Sequence, residues 1–150
     1  MSACTFFGHR DCPDSLKPRL RSVVIHLITN HGVDMFYVGN QGAFDRLVRG
    51  VLREITQEYP QTQYAVVLAH TPSGRPAAET ADTMLPEGIE LVHPRYAISW
   101  RNNWMLQQSD FVVAYVTHSW GGAAQYVQKA NRSGKTVLNL FDSDYGGHTR

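Results

Sequence analysis

The stretch MFYVGNQGAFDRLVRGVLREITQEYP, residues 35–60, contains one complete passage from strand to helix. Its first four residues are apolar or aromatic and predict a β-strand over 35–38. Over 42–59 the apolar residues recur at steps of three, one, three, one and three, which places them on one face of a helix that ends before Pro60. A strand that passes through a glycine-containing turn into an amphipathic helix is the repeating unit of α/β folds.

The same alternation continues in both directions along the 150 residues. Further strands are predicted over 3–7, 63–69, 89–92, 111–116 and 135–140, and further helices over 13–30, 95–108 and 121–132. Strands separated by helices pair in parallel through right-handed crossovers. The sequence therefore predicts one domain over 1–150, a three-layer α/β/α Rossmann-like sandwich with a mostly parallel sheet.

Two segments have no convincing periodicity. Residues 70–88 contain three prolines and two glycines, and we expect them to form a flap over the site, because long loops in compact domains tend to be functional. Residues 141–150 are polar, and we expect them to form a flexible tail.

Composition restricts the class of function. A hydrophobic share of 43% is enough for a core, and a formal net charge of +1 provides no overall field to hold nucleic acid or an anionic membrane. No apolar run approaches the roughly 20 residues of a membrane span. With two cysteines and no basic, apolar leader, we expect a cytoplasmic protein. Cys4, His9 and Cys12 lack a fourth ligand, so no metal or cofactor is predicted.

Three predicted strand-to-helix junctions combine glycine with polar residues. They are Gly8-His9-Arg10, the run from Gly39 to Asp45, and the run from His118 to Ala123. Glycine lets a backbone approach a ligand closely, and the helix that follows offers unpaired N–H groups and a positive dipole end, which suit a phosphate. Glycine is also common in any tight turn of this kind. Neither the dinucleotide fingerprint GxGxxG nor the P-loop pattern occurs, so a different Rossmann-like site is predicted.

Arg101 and Asp45 are the two charged candidates. Arg101 offers a planar fork that suits phosphate or carboxylate, and we expect it to contact the ligand. Asp45 follows the glycine turn, where a carboxylate either caps the helix or accepts hydrogen bonds from ribose hydroxyls. Trp100 and Trp104 are expected to pack one helix face against the sheet.

The chain resembles the SLOG superfamily, the Rossmann-like fold of the DprA and LONELY GUY proteins, and in particular its short branch of the YpsA/YoqJ type. The similarity extends over most of residues 4–140 and depends on four segments in the family's order and spacing. These are Thr5-Phe6-Phe7-Gly8-His9-Arg10, Val38-Gly39-Asn40-Gln41-Gly42-Ala43-Phe44-Asp45, Arg101-Asn102-Asn103-Trp104-Met105 with Ser109-Asp110, and Gly121-Gly122-Ala123-Ala124.

The resemblance implies a site for a nucleotide or nucleotide-derived ligand at these strand ends. The residues expected to bind it are Gly8, His9, Arg10, Gly39, Asn40, Gly42, Asp45, Arg101, Asn102, Gly121 and Gly122. The LONELY GUY enzymes cleave the N-glycosidic bond of nucleoside monophosphates and carry a GGxGTxxE motif. Here Ala124, Gln125 and Gln128 replace its third glycine, threonine and glutamate.

An amide cannot act as the general base that the glutamate supplies. We therefore expect ligand binding in a sensing or regulatory role rather than turnover. The alternative is a nucleoside 5′-monophosphate N-glycosidase, or a deoxyribosyltransferase-like enzyme, that uses a relocated carboxylate such as Asp45, Glu79, Asp82 or Glu90. Nucleic acid is not an expected partner. The aromatic residues of 95–108 and the resemblance predict a homodimer.

Overall fold

The computed structural model describes residues 2–70 and 82–141. The strands are β1 (Ser2–Gly8), β2 (Val33–Val38), β3 (Gln63–Val67), β4 (Thr83–Met84), β5 (Phe111–Tyr115) and β6 (Thr136–Asn139). The helices are α1 (Lys17–His31), α2 (Gly42–Glu58), α3 (Ala97–Gln108) and α4 (Gly122–Arg132), with short 3₁₀ turns at Asp14–Leu16, Ile89–Leu91 and Pro94–Tyr96.

The six strands form one sheet in the order β4-β3-β2-β1-β5-β6, and each neighbouring pair is parallel. The chain order reverses between β1 and β5, whose last residues, Gly8 and Tyr115, are in register. Ligands of doubly wound sheets bind in the crevice beyond the carboxyl ends of the strands at such a switch point. The predicted fold class, a Rossmann-like α/β sandwich with a mostly parallel sheet, is confirmed.

Alternation along the central strands divides the core into two layers. On β1, Cys4 and Phe6 pack with the apolar stripes of α1 and α2, whereas Phe7 packs on the opposite face with Met105 of α3 and Ala130 of α4. Full burial of a Leu, Val or Phe side chain contributes about 1.5–3 kcal/mol relative to exposure. The α2 stripe predicted from the sequence supplies five fully buried side chains to the first layer: Phe44, Val48, Val51, Leu52 and Ile55.

One predicted element is wrong: the strand predicted over 89–92 is the 3₁₀ turn Ile89–Leu91. The helix predicted over 95–108 is α3, which begins two residues later, after the 3₁₀ turn Pro94–Tyr96. Thr83 and Met84, within the predicted flap, form an edge strand paired with β3. Residues 71–81 of that flap and the tail from 142 lie outside the described residues. No helix in the described ranges is long and apolar enough to span a membrane.

Candidate functional site

A cleft of about 390 Å³ lies beyond the carboxyl ends of β1, β2 and β5. Seven of the predicted site residues line it, namely Gly8, His9, Arg10, Asp45, Arg101, Asn102 and Gly122. The other four, Gly39, Asn40, Gly42 and Gly121, are not part of its lining but neighbour residues that are. The structure thus brings the three predicted junctions and Arg101 to the same edge of the sheet.

Arg101 is the charged centre of the cleft. It occupies an inward position of α3, four residues after Ala97 and four before Met105, and only 2% of its surface is exposed. Its Nη1 donates to the Val67 carbonyl oxygen at 2.7 Å and to Asn40 Oδ1 at 3.2 Å. Its Nε donates to Asn102 Oδ1 at 2.8 Å.

The guanidinium of Arg101 is left with capacity for an anion. Burial lowers the pKa of Arg101 and the charge of Asp45 opposes this effect, but a guanidinium stays protonated in proteins. Within residues 2–70 and 82–141, no carboxylate forms a salt bridge with it and its Nη2 makes no hydrogen bond. Asp45 lies nearby but not within salt-bridge distance, so the unbonded Nη2 of this buried cation favours an anionic ligand in the cleft.

Asp45 is a partly buried carboxylate beside the same cation. Its Oδ2 accepts a hydrogen bond from the Gln41 backbone N–H at 2.9 Å, so the capping contact anticipated from the sequence is present. Burial raises the pKa of Asp45 from 3.8 to about 6, against the lowering effects of that hydrogen bond and of the Arg101 and Arg49 charges. A carboxyl group that titrates near neutrality within a cleft is suited to proton transfer or to hydrogen bonding with hydroxyl groups.

Gly39 allows these two charged groups to approach the same point of the backbone. A Cβ atom on Gly39 would lie 2.8 Å from Asp45 Oδ2, closer than real Cβ atoms come, and 3.1 Å from Arg101 Cζ, where the guanidinium would have to shift by a few tenths of an ångström. Gly39 thus acts on the site through the positions of Asp45 and Arg101, not through the cleft lining.

The N-terminus of α2 is partly occupied by protein groups. The Ala43 N–H donates to the Arg10 carbonyl oxygen at 2.9 Å, and the Gln41 N–H is held by Asp45. Gly42 has a φ of +88°, and a Cβ there would lie 3.1 Å from the Arg10 Cα. Gly42, one of the residues predicted to bind the ligand, lies against Arg10, where the absence of a side chain lets the turn pack closely.

The N-terminus of α4 is open. Gly121, at the N-cap, has a φ of +97°, and no side chain of the described residues caps this end of the helix. Gly122 and Ala123 line the cleft, and a Cβ on Gly122 would have no heavy atom within 4 Å. The first N–H groups of a helix have no partner within it. Of the two glycine-rich helix starts, α4 is therefore the better placed to receive an anion, because its first residues line the cleft and the Ala43 N–H of α2 already has a partner.

Some residues of the cleft lining were not predicted from the sequence to belong to the site. Ile98 and Met105 lie at helical spacing from Arg101 and line the cleft with it. Tyr126, one turn after Gly122, also lines it and stacks on Phe7 with ring centroids 5.1 Å apart. The helical periodicity around Arg101 and Gly122 was the signal that could have identified them.

Gln128, which stands where the LONELY GUY motif has a glutamate, is exposed and outside the lining. Its Nε2 donates to the Ser119 carbonyl oxygen at 3.3 Å. Asp82 and Glu90 do not line the cleft either, and Glu79 lies outside the described residues. Among residues 2–70 and 82–141, Asp45 is therefore the carboxylate in the lining. In the described part of the chain, no three His, Cys, Asp or Glu side chains group as a metal site.

The tryptophans of α3 lie outside the lining of the cleft. Trp104 is partly buried and meets Tyr37 edge-on, with ring centroids 5.2 Å apart, in the second layer of the core. Trp100 is also partly buried and lies within 4 Å of the Cβ position of Gly88. These contacts agree with a packing role.

The fold is similar to that of a solved structure, the X-ray structure of DNA processing protein A (DprA) from Streptococcus pneumoniae. The two chains are 13% identical, with a TM-score of 0.64 over 91% of this chain and 49% of that one. At this identity the similarity shows the fold alone, and it is the Rossmann-like fold that the resemblance implied. The chain spans about half the length of that DprA chain. No protein-family model and no curated protein matches the chain.

Proposed function

We propose that this protein binds a nucleotide or nucleotide-derived ligand in the cleft at the carboxyl edge of the sheet, in a sensing or regulatory role. One observation carries the proposal. A buried arginine without a salt-bridge partner in the described residues and an uncapped helix N-terminus line the same cleft.

The chemistry of the cleft fits the parts of a nucleoside phosphate. The N–H groups at the start of α4 suit the phosphate, and the carboxylate of Asp45 suits ribose hydroxyls. A helix dipole contributes only about 0.3–2 kcal/mol, whereas each hydrogen bond to a charged group contributes about 1.5–3 kcal/mol. Micromolar affinity requires about 8 kcal/mol, so Arg101 and several N–H groups have to act together.

The proposal includes membership of the SLOG superfamily. It is supported by the shared Rossmann-like fold and by the position of the quoted motifs around one cleft. Assignment to the short YpsA/YoqJ-type branch depends on the motifs alone.

The test compares Gly122→Asp with Gly50→Asp. A Cβ has no heavy atom within 4 Å at either glycine, and neither has a positive φ, but Gly50 lies in the middle of α2, outside the cleft lining. Both variants add the same charge to a helix. By calorimetry with AMP, CMP, GMP and UMP, we expect the wild type and Gly50→Asp to bind at least one nucleotide and Gly122→Asp to lose at least tenfold in affinity. Equal affinity of the two variants, both cooperatively folded, would contradict the proposal.

A second candidate function is hydrolysis or transfer at the N-glycosidic bond, which the environment of Asp45 favours. A carboxyl group with a pKa of about 6 is close to the optimum for a general acid or base at neutral pH. Base release from the four nucleotides tests this candidate. Rates of about 1–10³ per second that disappear in Asp45→Asn would make the protein an enzyme.

A further inference from the structure

Three aromatic rings form a continuous stack next to the cleft. The ring of His9, which lines the cleft, lies on His118 with centroids 3.9 Å apart and an interplanar angle of 16°. His118 in turn lies on Trp120 at 3.8 Å and 18°. The stack leads from the wall of the cleft to Trp120, which immediately precedes the open N-terminus of α4.

Local contacts fix the stack in place. The Thr117 backbone N–H donates to His9 Nε2 at 2.9 Å, which requires that this nitrogen carry no proton. Burial and the neighbouring His118 both lower the pKa of His9, which favours the neutral ring. The Cβ position of Gly121 is 3.9 Å from His118 Cε1, so this ring also lies against the turn that starts α4.

Trp120 presents one free face. One side of the indole lies on His118, yet the residue is 68% exposed, so the opposite side contributes to the exposed surface of the described residues. A large aromatic ring held flat and accessible is a stacking platform, and stacking accepts any nucleobase because every base has a π-face.

We propose that the free face of Trp120 is the stacking site for the base of the nucleotide whose phosphate binds at the start of α4. This inference depends on the proposed function and specifies its ligand as a nucleotide with an intact base, purines ahead of pyrimidines because their rings stack over a larger area. Gly122 follows Trp120 by two positions in the sequence, at most roughly 7 Å along the backbone. The ribose of a nucleotide separates base and phosphate by a comparable distance.

The alternative position for the base is the inner wall of the cleft, where Ile98 and Tyr126 lie. Tyr126 already has one ring face on Phe7, and its hydroxyl donates to the Ser99 carbonyl oxygen at 3.3 Å. Trp120 makes no hydrogen bond within the described residues, so its ring has no comparable role in holding α3 and α4 together. This difference favours Trp120 as the base platform.

The test measures GMP and ribose 5-phosphate binding to the wild type, Trp120→Ala and Trp120→Phe by calorimetry. We expect Trp120→Ala to weaken GMP binding about 5- to 100-fold, Trp120→Phe to recover most of it, and ribose 5-phosphate binding to be unchanged. GMP should also quench the tryptophan fluorescence of the wild type, and Trp120→Phe, which retains Trp100 and Trp104, should lose that quenching.

Two results would overturn this inference alone. Unchanged GMP affinity in Trp120→Ala would show that the base does not stack on Trp120. Equal weakening of GMP and ribose 5-phosphate would show that Trp120 only supports the start of α4. If the wild type binds neither compound, nor any other nucleotide, the proposed function fails and this inference fails with it.

Discussion

Replacement of Asp45 by asparagine should stabilise the protein at neutral pH. Burial raises the pKa of Asp45 from 3.8 to about 6, so the folded state disfavours the ionised carboxylate. At 1.36 kcal/mol per pKa unit the full difference corresponds to about 3 kcal/mol. The partial exposure of Asp45 reduces the expected gain to about 1–3 kcal/mol. Asparagine keeps an oxygen that can accept the hydrogen bond from the Gln41 N–H.

The sign of the pH dependence follows from the same pKa values. Between pH 3.8 and 6 the folded protein binds more protons at Asp45 than the unfolded chain does, so the contribution of this group to stability falls as pH rises. The advantage of Asp45→Asn should therefore be complete above about pH 6, about half as large at pH 5, and absent below about pH 3.8.

Urea unfolding at pH 7.5 and 5.0 measures this effect. With a slope of about 2 kcal/mol per molar urea, a gain of about 2 kcal/mol moves the midpoint by about 1 M. The control is Asp11→Asn, which removes the same charge from an exposed position and should leave the midpoint nearly unchanged. A destabilised Asp45→Asn variant, or a gain that is equal at both pH values, would refute the reasoning.

Three further predictions concern other residues. Gly39→Ala should destabilise the fold by about 1–3 kcal/mol in urea unfolding and weaken nucleotide binding, because its Cβ meets Asp45 and Arg101. The control Gly50→Ala, in α2, should have a neutral or stabilising effect on unfolding. Gln128→Glu should not gain base release from AMP, because this exposed side chain lies outside the cleft lining. We also propose that the protein is a homodimer, so the mass measured by light scattering should rise with protein concentration. Tyr96→Glu should lower that mass, since Tyr96 is 57% exposed. A monomer mass at every concentration would exclude the dimer.

The long elements of the fold could be predicted because their signal is local. The stripe of α2 and the apolar run of β5 are visible in the sequence at the right periodicity. The edge strand β4 has two residues and no such signal. It depends on distant hydrogen bonds, from the Val66 N–H to the Asp82 carbonyl oxygen at 2.7 Å and from the Leu68 N–H to the Met84 carbonyl oxygen at 2.8 Å.

For the candidate site, the sequence predicts only which strand ends contribute residues to it. The sequence indicates that Gly42 and Gly122 both follow strands, but not which helix start keeps more of its N–H groups free. That depends on the Arg10 carbonyl, which reaches the Ala43 N–H from a different junction. The stack of His9, His118 and Trp120 joins two junctions more than a hundred residues apart, so no local pattern could show it.

The parallel pairing of the sheet has a consequence for the resistance of the protein to degradation. The cleft takes its lining from segments that follow β1, β2 and β5 and from α3, so no contiguous peptide contains it and the unfolded chain has no binding site. A ligand present at a hundred times its Kd would then stabilise the folded state by about 2.7 kcal/mol. That lowers the unfolded population about a hundredfold. Binding of the proposed ligand would therefore make the protein more resistant to proteolysis. The abundance of the protein would then rise with the concentration of that ligand.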